Sequence, residues 1–271
     1  MQENTQYRRI GIMFVPFSTN KRTDESPPKK EVETMLRIEN LTKNYGDKKA
    51  VDELSLHIRR GEIYGFIGHN GAGKTTTIKA CAGILGFDAG EIFIDGVSVK
   101  KDPLRCKKMT AYIPDNPDLY EFYTGIKYLN FIADVYGVSQ GEREEKIRQY
   151  ADLFELTPDL NQLISAYSHG MKQKLAIISA LIHSPKLMML DEPFTGLDPK
   201  ASHLLKTLMR EICDKGGAIF FSTHVLEVAE KLCDKVAIIR KGKLVISGSM
   251  AEVKGADSLE EVFLELEGQH A

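Results

Sequence analysis

Gly68-His69-Asn70-Gly71-Ala72-Gly73-Lys74-Thr75 spells G-x-x-x-x-G-K-T in full, and this stretch decides the fold. The glycines let the chain curl until successive backbone N–H groups converge on phosphate oxygens. A helix opening directly after the loop adds unpaired N–H groups and the positive end of its dipole. In such a loop Lys74 sets its ammonium between the outer two phosphates, and Thr75, with Thr76 beside it, offers a hydroxyl to Mg²⁺. The flanks agree. Ile63-Tyr64-Gly65-Phe66-Ile67 is a short apolar run expected as a strand, and Thr75 to Leu85 carries enough Ala, Ile and Leu for the following helix. The expected ligand is a nucleoside triphosphate.

A chain of 271 residues is one large domain or two small ones, with ample sequence for a core. Its 36 basic and 38 acidic residues nearly cancel, which argues against a nucleic-acid partner. Cys81, Cys106, Cys213 and Cys233 are scattered without a C-x-x-C pair, as expected of buried free thiols in a reducing compartment. The seven histidines do not cluster with cysteines or carboxylates at metal-ligand spacing. The apolar run Ile10 to Phe17 follows Arg8-Arg9, but it contains Pro16, is too short to span a bilayer and lacks a cleavage pattern.

Residues 1–34 stand apart. Asn20 to Lys30 is polar, charged and proline-containing, so this segment is expected to be a disordered extension, with Met35 as a candidate natural start. Beyond it, Met35 to Leu41 alternates like a strand, as do Leu54, Leu56 and Ile58, giving an antiparallel β part. Glu91 to Ile94 is another short strand. From about 115 to 170 the chain is aromatic and helical: Tyr128, Phe131, Ile132 and Val135 share helical spacing, and Glu142 to Leu156 reads as a second helix. Met171, Leu175, Ile178 and Ile182 mark one helical face, and Leu187 to Leu190 is a continuous apolar run suited to a strand buried on both sides. Asp198-Pro199 is a cap-and-first-turn pair ahead of a helix that Gly216-Gly217 ends. Ala218 to Phe221 is a further buried strand, and Val236 to Ile239 with Leu244 to Ile246 form a hairpin about Lys241-Gly242-Lys243. Residues 249–271 read as a helical tail in which Ser258 and Glu261 make a capping box ahead of Leu259, Val262, Phe263 and Leu266. The expected fold class is α/β: a phosphate-loop NTPase core of mainly parallel sheet, an N-terminal antiparallel β part and an inserted helical subdomain.

Asp191-Glu192 ends the apolar strand. In an open parallel sheet ligands collect beyond the carboxyl ends of the strands, which brings both carboxylates toward the nucleotide. Asp191 is the candidate Mg²⁺ ligand, and Glu192 the base that orients and deprotonates the attacking water. His224 follows the strand Phe220-Phe221, where it could meet the γ-phosphate. Tyr45 offers an aromatic face to adenine.

From Met35 to Gly248 the chain resembles the ATP-binding cassette of ABC transporters. The resemblance rests on the phosphate loop, the Asp-Glu strand end, Gly196-Leu197-Asp198, Ser222-Thr223-His224 and, above all, Tyr167-Ser168-His169-Gly170-Met171, which stands in place of the LSGGQ signature. It implies that Ser168 and Gly170 contact the γ-phosphate held by an opposite subunit, that Asp198 communicates across that dimer, that His224 is the switch histidine and that Tyr45 stacks on adenine. It also implies ATP as the nucleotide and Mg²⁺ as its metal. The family's Gln at the loop entering the helical subdomain is missing; Tyr112-Ile113-Pro114 leads instead into Asp115-Asn116-Pro117, making Asp115 the candidate metal ligand there and Asn116 the rival. The signature and the ending Ser258 to Leu266 look most like bacterial exporters with separate permease chains. The implied subunit works as a homodimer, or a heterodimer with a second ATP-binding subunit, at the cytoplasmic face of the membrane. Two rival readings are a soluble ABC-type ATPase acting on DNA or ribosomes, and a module that binds ATP without turnover. The first lacks the usual long coiled coil or second cassette, and Glu192 with His224 weighs against the second.

Overall fold

Strand β1 (Thr34–Tyr45) carries Leu36 and Ile38 on one face, opposite Ile58 and Leu56 of β2 (Lys48–Arg59) and opposite Ile94 and Ile92 of β4 (Ala89–Ile94). All six are buried, while Ser55 and His57 on the other face of β2 are exposed, as a period of two requires. The structure is a computed structural model that describes residues 34–268, with side chains through Leu266. With β5 (Val97–Ser98) these strands make an antiparallel sheet in the order β2-β1-β4-β5. Strand β1 outruns the expected Met35 to Leu41 because its register shifts after Ile38, where Asn40 turns to φ 49° and the ladder resumes beyond it. The expected extension 1–34 lies outside the described residues, except that Thr34 opens β1 opposite Arg59.

The second sheet positions the site. Its order is β10-β9-β3-β8-β7-β6. Strands β3 (Ile63–Ile67), β6 (Thr110–Ile113), β7 (Leu187–Asp191), β8 (Ala218–Thr223) and β9 (Lys235–Arg240) run parallel, and β10 (Lys243–Ser249) returns antiparallel. The turn between β9 and β10 is two residues rather than three: Lys241 and Gly242 both take positive φ, so Lys243 is free to pair with Arg240. Every residue of β3, β7 and β8 is buried, because both faces are covered. Tyr64, Phe66, Met189 and Phe220 face the antiparallel sheet and helix α1 (Lys74–Cys81), whereas Ile63, Ile67, Leu190, Ile219 and Phe221 face the opposite layer of helices.

Helix α1 stops at Cys81, short of the expected Leu85. Gly83 takes φ 64°, and the N–H groups of Ile84 and Leu85 fold back onto the Lys79 carbonyl, a left-handed C-terminal stop. After α2 (Pro103–Met109), the expected helical subdomain contains α3 (Gly125–Tyr136) and α4 (Gln140–Leu153). Val135 is 62 % exposed, so it does not belong to the buried face of α3; Leu129 and Ala133 do. Helix α5 (His169–Ile182) is buried on all sides from Leu175 onward, a wider contact than the stripe its spacing implies. The four cysteines are buried and unpaired.

Helix α6 (Pro199–Asp214) starts on the expected Asp198 cap, whose carboxylate accepts from the Ala201 N–H at 2.8 Å. Beyond α7 (Leu226–Leu232), the tail folds as α8 (Met250–Lys254) and α9 (Leu259–Gly268). The Ser258–Glu261 box forms as read, and an unanticipated twin at Ser249–Glu252 caps α8. Among the described residues no helix is long and apolar enough to cross a membrane.

Phe220 of β8 packs at centroid distances of 6.1 and 5.3 Å from Tyr64 and Phe66 of the neighbouring strand β3, on the face of the parallel sheet turned toward the antiparallel one. Phe220→Ala is expected to lower unfolding free energy by about 3–5 kcal/mol, read as a reduced urea midpoint at unchanged slope.

Candidate nucleotide-binding site

The loop between β3 and α1 is held by backbone contacts. Gly71 and Gly73 take φ of 81° and 111°, and a Cβ at Gly73 would lie 2.4 Å from the Ala50 carbonyl oxygen. A Cβ at Gly68 would lie 2.6 Å from the Ile239 carbonyl oxygen. The Gly242 N–H donates to the Ala72 carbonyl at 2.9 Å, and the Ala72 N–H to the His69 carbonyl at 3.1 Å. Lys74 is buried at the start of α1, and its Nζ donates to the Gly68 and His69 carbonyls at 2.5 and 3.3 Å. Burial pushes the Lys74 ammonium below the usual lysine range, while the charges of Glu192 and Asp191 pull the other way.

Asp191 ends β7 and is 3 % exposed, with Oδ1 accepting from Ser222 Oγ at 2.5 Å. The Glu192 N–H reaches both the carbonyl oxygen and Oγ of Ser222 at 3.2 Å. Glu192 itself takes φ 47°, a left-handed conformation that costs a non-glycine residue about 1 kcal/mol or more. Its Oε1 lies 3.0 Å from His224 Nδ1 and 3.7 Å from Lys74 Nζ, yet accepts no well-aligned hydrogen bond among the described residues. Ser222 thus holds the Asp191 carboxylate and the Glu192 backbone. Its place at the end of an apolar strand gave no sign of this, because the contact depends on the pairing of Asp191 with Ser222 across β7 and β8.

These groups face a cleft of about 300 Å³ lined by Tyr45, Lys48, Ala50, His69, Asn70, Gly71, Gly73, Lys74, Thr75, Thr76, Asp115, Asp191 and Glu192. Most of the expected set is therefore brought together. Gly68 and Ala72 lie behind the wall: the first holds Lys74 through its carbonyl, and the second is buried. Tyr45 is half-exposed, with Lys43 Nζ 5.4 Å from its ring centroid. Asp115 lines the cleft and Asn116 does not. Among the described residues the buried Tyr112 hydroxyl has no hydrogen-bond partner, and burial, then the Asp191 and Asp115 charges, push its pKa up. Lys48, at the cleft mouth, was not anticipated from the sequence.

Ser168, Gly170 and Asp198 are not part of this cleft; they form a second group. Ser168 caps α5 by accepting from the Met171 N–H at 3.3 Å. A Cβ at Gly170 would meet the Gly196 carbonyl oxygen at 2.8 Å, and one at Gly196 the His169 ring at 2.3 Å, so the start of α5 and the 196–198 turn pack in direct contact. Lys174 Nζ, 2.7 Å from Asp198 Oδ2, holds that carboxyl below its usual range. Tyr167 is buried with its hydroxyl on the Asp159 carbonyl at 2.7 Å.

Chemically, the cleft offers a buried cation, three carboxylates at or just beyond strand ends, hydroxyls at a helix start and an imidazole beside one carboxylate. Ser222→Ala removes the donor that Asp191 accepts from and one acceptor of Glu192. It is expected to lower stability by about 1–3 kcal/mol and phosphate release from ATP roughly tenfold, measured by urea unfolding and a phosphate assay.

Comparison with known proteins gives the family. The sequence model of the ABC transporter family matches residues 51–195. The uncharacterized ABC transporter ATP-binding protein YhcH of Bacillus subtilis (strain 168) is 38 % identical over 79 % of this chain and 70 % of its own length. The linearmycin resistance ATP-binding protein LnrL of the same organism is 33 % identical over 81 % and 70 %. A solved ATP-binding subunit of an ABC transporter superposes with a TM-score of 0.83 at 36 % identity, covering 86 % of this chain and all of its own. The chain belongs to the ABC transporter family, as an ATP-binding subunit that hydrolyses ATP.

Proposed function

We propose that this chain powers export through a separate membrane permease, as one of two ATP-binding subunits seated at the cytoplasmic face. The carrying observation is the division of its machinery. Lys74, Thr75, Asp191 and Glu192 share one cleft, whereas Ser168 and Gly170 lie at a helix start outside it. A second subunit facing the first would set its own Ser168 helix start against the phosphate end of this cleft, where unpaired N–H groups suit an anion.

Within each cleft Tyr45 stacks on adenine, the N–H groups of the loop receive the phosphates, and Lys74 neutralises charge on the outer two. Glu192 takes the proton of the attacking water, and His224 beside it orients the carboxylate and meets the γ-phosphate. The donor set fits Mg²⁺: the Thr75 hydroxyl, Asp191 and Asp115 are hard oxygen ligands on one cleft. When bound, the ion neutralises phosphate charge. Asp115, as a carboxylate where the family has an amide, contributes its charge to that site.

Coupling to the permease is assigned to the aromatic start of the helical subdomain. Tyr120 and Phe122 are 48 % and 73 % exposed and stack at 5.9 Å, shortly after Asp115 in the chain. Exposed aromatics are the usual anchors of an interface. LnrL is named for linearmycin resistance, which is in keeping with outward transport.

Glu192→Gln is expected to keep ATP binding, lose most phosphate release and accumulate as an ATP-bound dimer on size exclusion; near-normal turnover would remove Glu192 from its role. Asp115→Ala is expected to raise the Mg²⁺ concentration needed for half-maximal hydrolysis, and Asn116→Ala to leave it unchanged. The opposite pair of results would transfer the metal contact to Asn116.

A further inference from the structure

Residues 69–71 form a partition. The nucleotide cleft lies on one side, and on the other lies a second cavity of about 240 Å³, bounded by Ile238 and Ile239 of β9, Val245 of β10, and Phe263 and Leu266 of α9. Across this space the C-terminal helix touches the phosphate loop. The Phe263 ring packs on the His69 ring with centroids 4.9 Å apart and planes inclined by 58°. His69 is also the residue whose carbonyl accepts from Lys74 Nζ and from the Ala72 N–H.

Helix α9 is fixed by groups that do not belong to the loop. Ser258 and Glu261 cap it reciprocally, the Leu259 N–H donates to Glu230 Oε2 at 3.1 Å, and Leu259 is wholly buried. At its far end Arg240 Nη1 donates to the Leu266 carbonyl at 3.0 Å. The helix is therefore a wall anchored on α7 and β9, against which the loop rests. With apolar space behind residues 69–71, the aromatic contact limits how far His69 moves inward. A displacement there would carry its carbonyl away from Lys74.

We propose that Phe263 is a positioning residue for nucleotide binding: by bracing His69 from the C-terminal helix it keeps the phosphate loop and Lys74 in the phosphate-accepting arrangement. This rests on residues 68–76 being the nucleotide site, a reading that Lys74→Ala tests separately. Energetically, a ring contact of this kind corresponds to several-fold in affinity.

The test measures binding of a fluorescent ATP analogue and steady-state ATP hydrolysis in the full chain. Phe263→Ala is expected to raise the Kd and KM about five- to tenfold with kcat within about twofold. Phe263→Leu, which keeps apolar bulk and protects folding, shows a smaller shift in the same direction, and Phe263→Tyr restores near-wild-type values. Val262→Ala, on the same helix but packed on the core away from His69, lowers the melting temperature without moving Kd. Combined with His69→Asn, Phe263→Ala adds little further loss, because the two act through one contact. A wild-type Kd in both Phe263→Ala and Phe263→Leu overturns the proposal, as does an equal rise in Val262→Ala. Unweakened binding in Lys74→Ala would instead overturn the nucleotide-site reading and this proposal with it.

Discussion

The phosphate loop is clamped where the two sheets meet, and at Gly68 and Gly73 it has no room for side chains. The Ala50 carbonyl of β2 approaches the positions where Gly73 and Gly242 would carry a Cβ, at 2.4 and 2.9 Å, while the Ile239 carbonyl does the same at Gly68. The Gly242 carbonyl accepts from the Asp52 N–H, and its own N–H donates to the Ala72 carbonyl, both at 2.9 Å. The antiparallel sheet, the β9–β10 turn and the loop therefore share one knot of backbone contacts. An alanine at Gly73 would meet carbonyl oxygen and adopt an unfavourable φ together. The loop inherits its shape from the meeting of the sheets.

The parallel sheet supplies the other half of the arrangement. Ile67 pairs with Thr223, Asp191 with Ser222, and Ile113 with Leu190. The carboxyl ends of β3, β6, β7 and β8 are thus level, which delivers the phosphate loop, Asp115, the two acids and His224 to one edge. Burial then sharpens the electrostatics. Lys74 is 6 % exposed, so its attraction to Glu192 and Asp191 acts at lower effective dielectric than at the surface, while desolvation works against its charge. Such a cation gains from any further anion brought beside it.

Local sequence carried the elements well where a residue's role depends on its neighbours in the chain. The run Ile63 to Ile67, the alternation of β2, the Asp198 cap and the Ser258–Glu261 box all formed as read. One local stop was missed, the left-handed Gly83 that ends α1 early. The other readings failed where packing decides: Val135 fits a helical stripe but meets solvent, and α5 is enclosed because both the helical subdomain and the sheet cover it. The resemblance to a known family pointed to Gly170, but the reason it must be glycine is the carbonyl of Gly196. Ser222, Lys48 and Phe263 reach the site through pairing and tail docking, neither of which leaves a local signal. Asp115 was legible as a departure from its family, and its placement on the cleft follows from the end of β6.

The two groups of site residues are separate in space but joined by a short, tight segment. From Glu192 the chain turns at once, with the Thr195 N–H on the Glu192 carbonyl at 3.1 Å and the Leu197 N–H on that of Phe194 at 3.3 Å. It reaches Asp198 with Phe194 packed on Phe221 and Gly196 pressed against His169. The Lys174–Asp198 pair then ties the start of α6 to α5. Little in this path can stretch: two turn hydrogen bonds, a side-chain-free contact and an ion pair follow one another. A movement of Glu192 would therefore be passed to the start of α5 rather than absorbed. In the proposed dimer that helix start faces the partner's phosphates, so each chain would link the base of its own cleft to the anion end of the other.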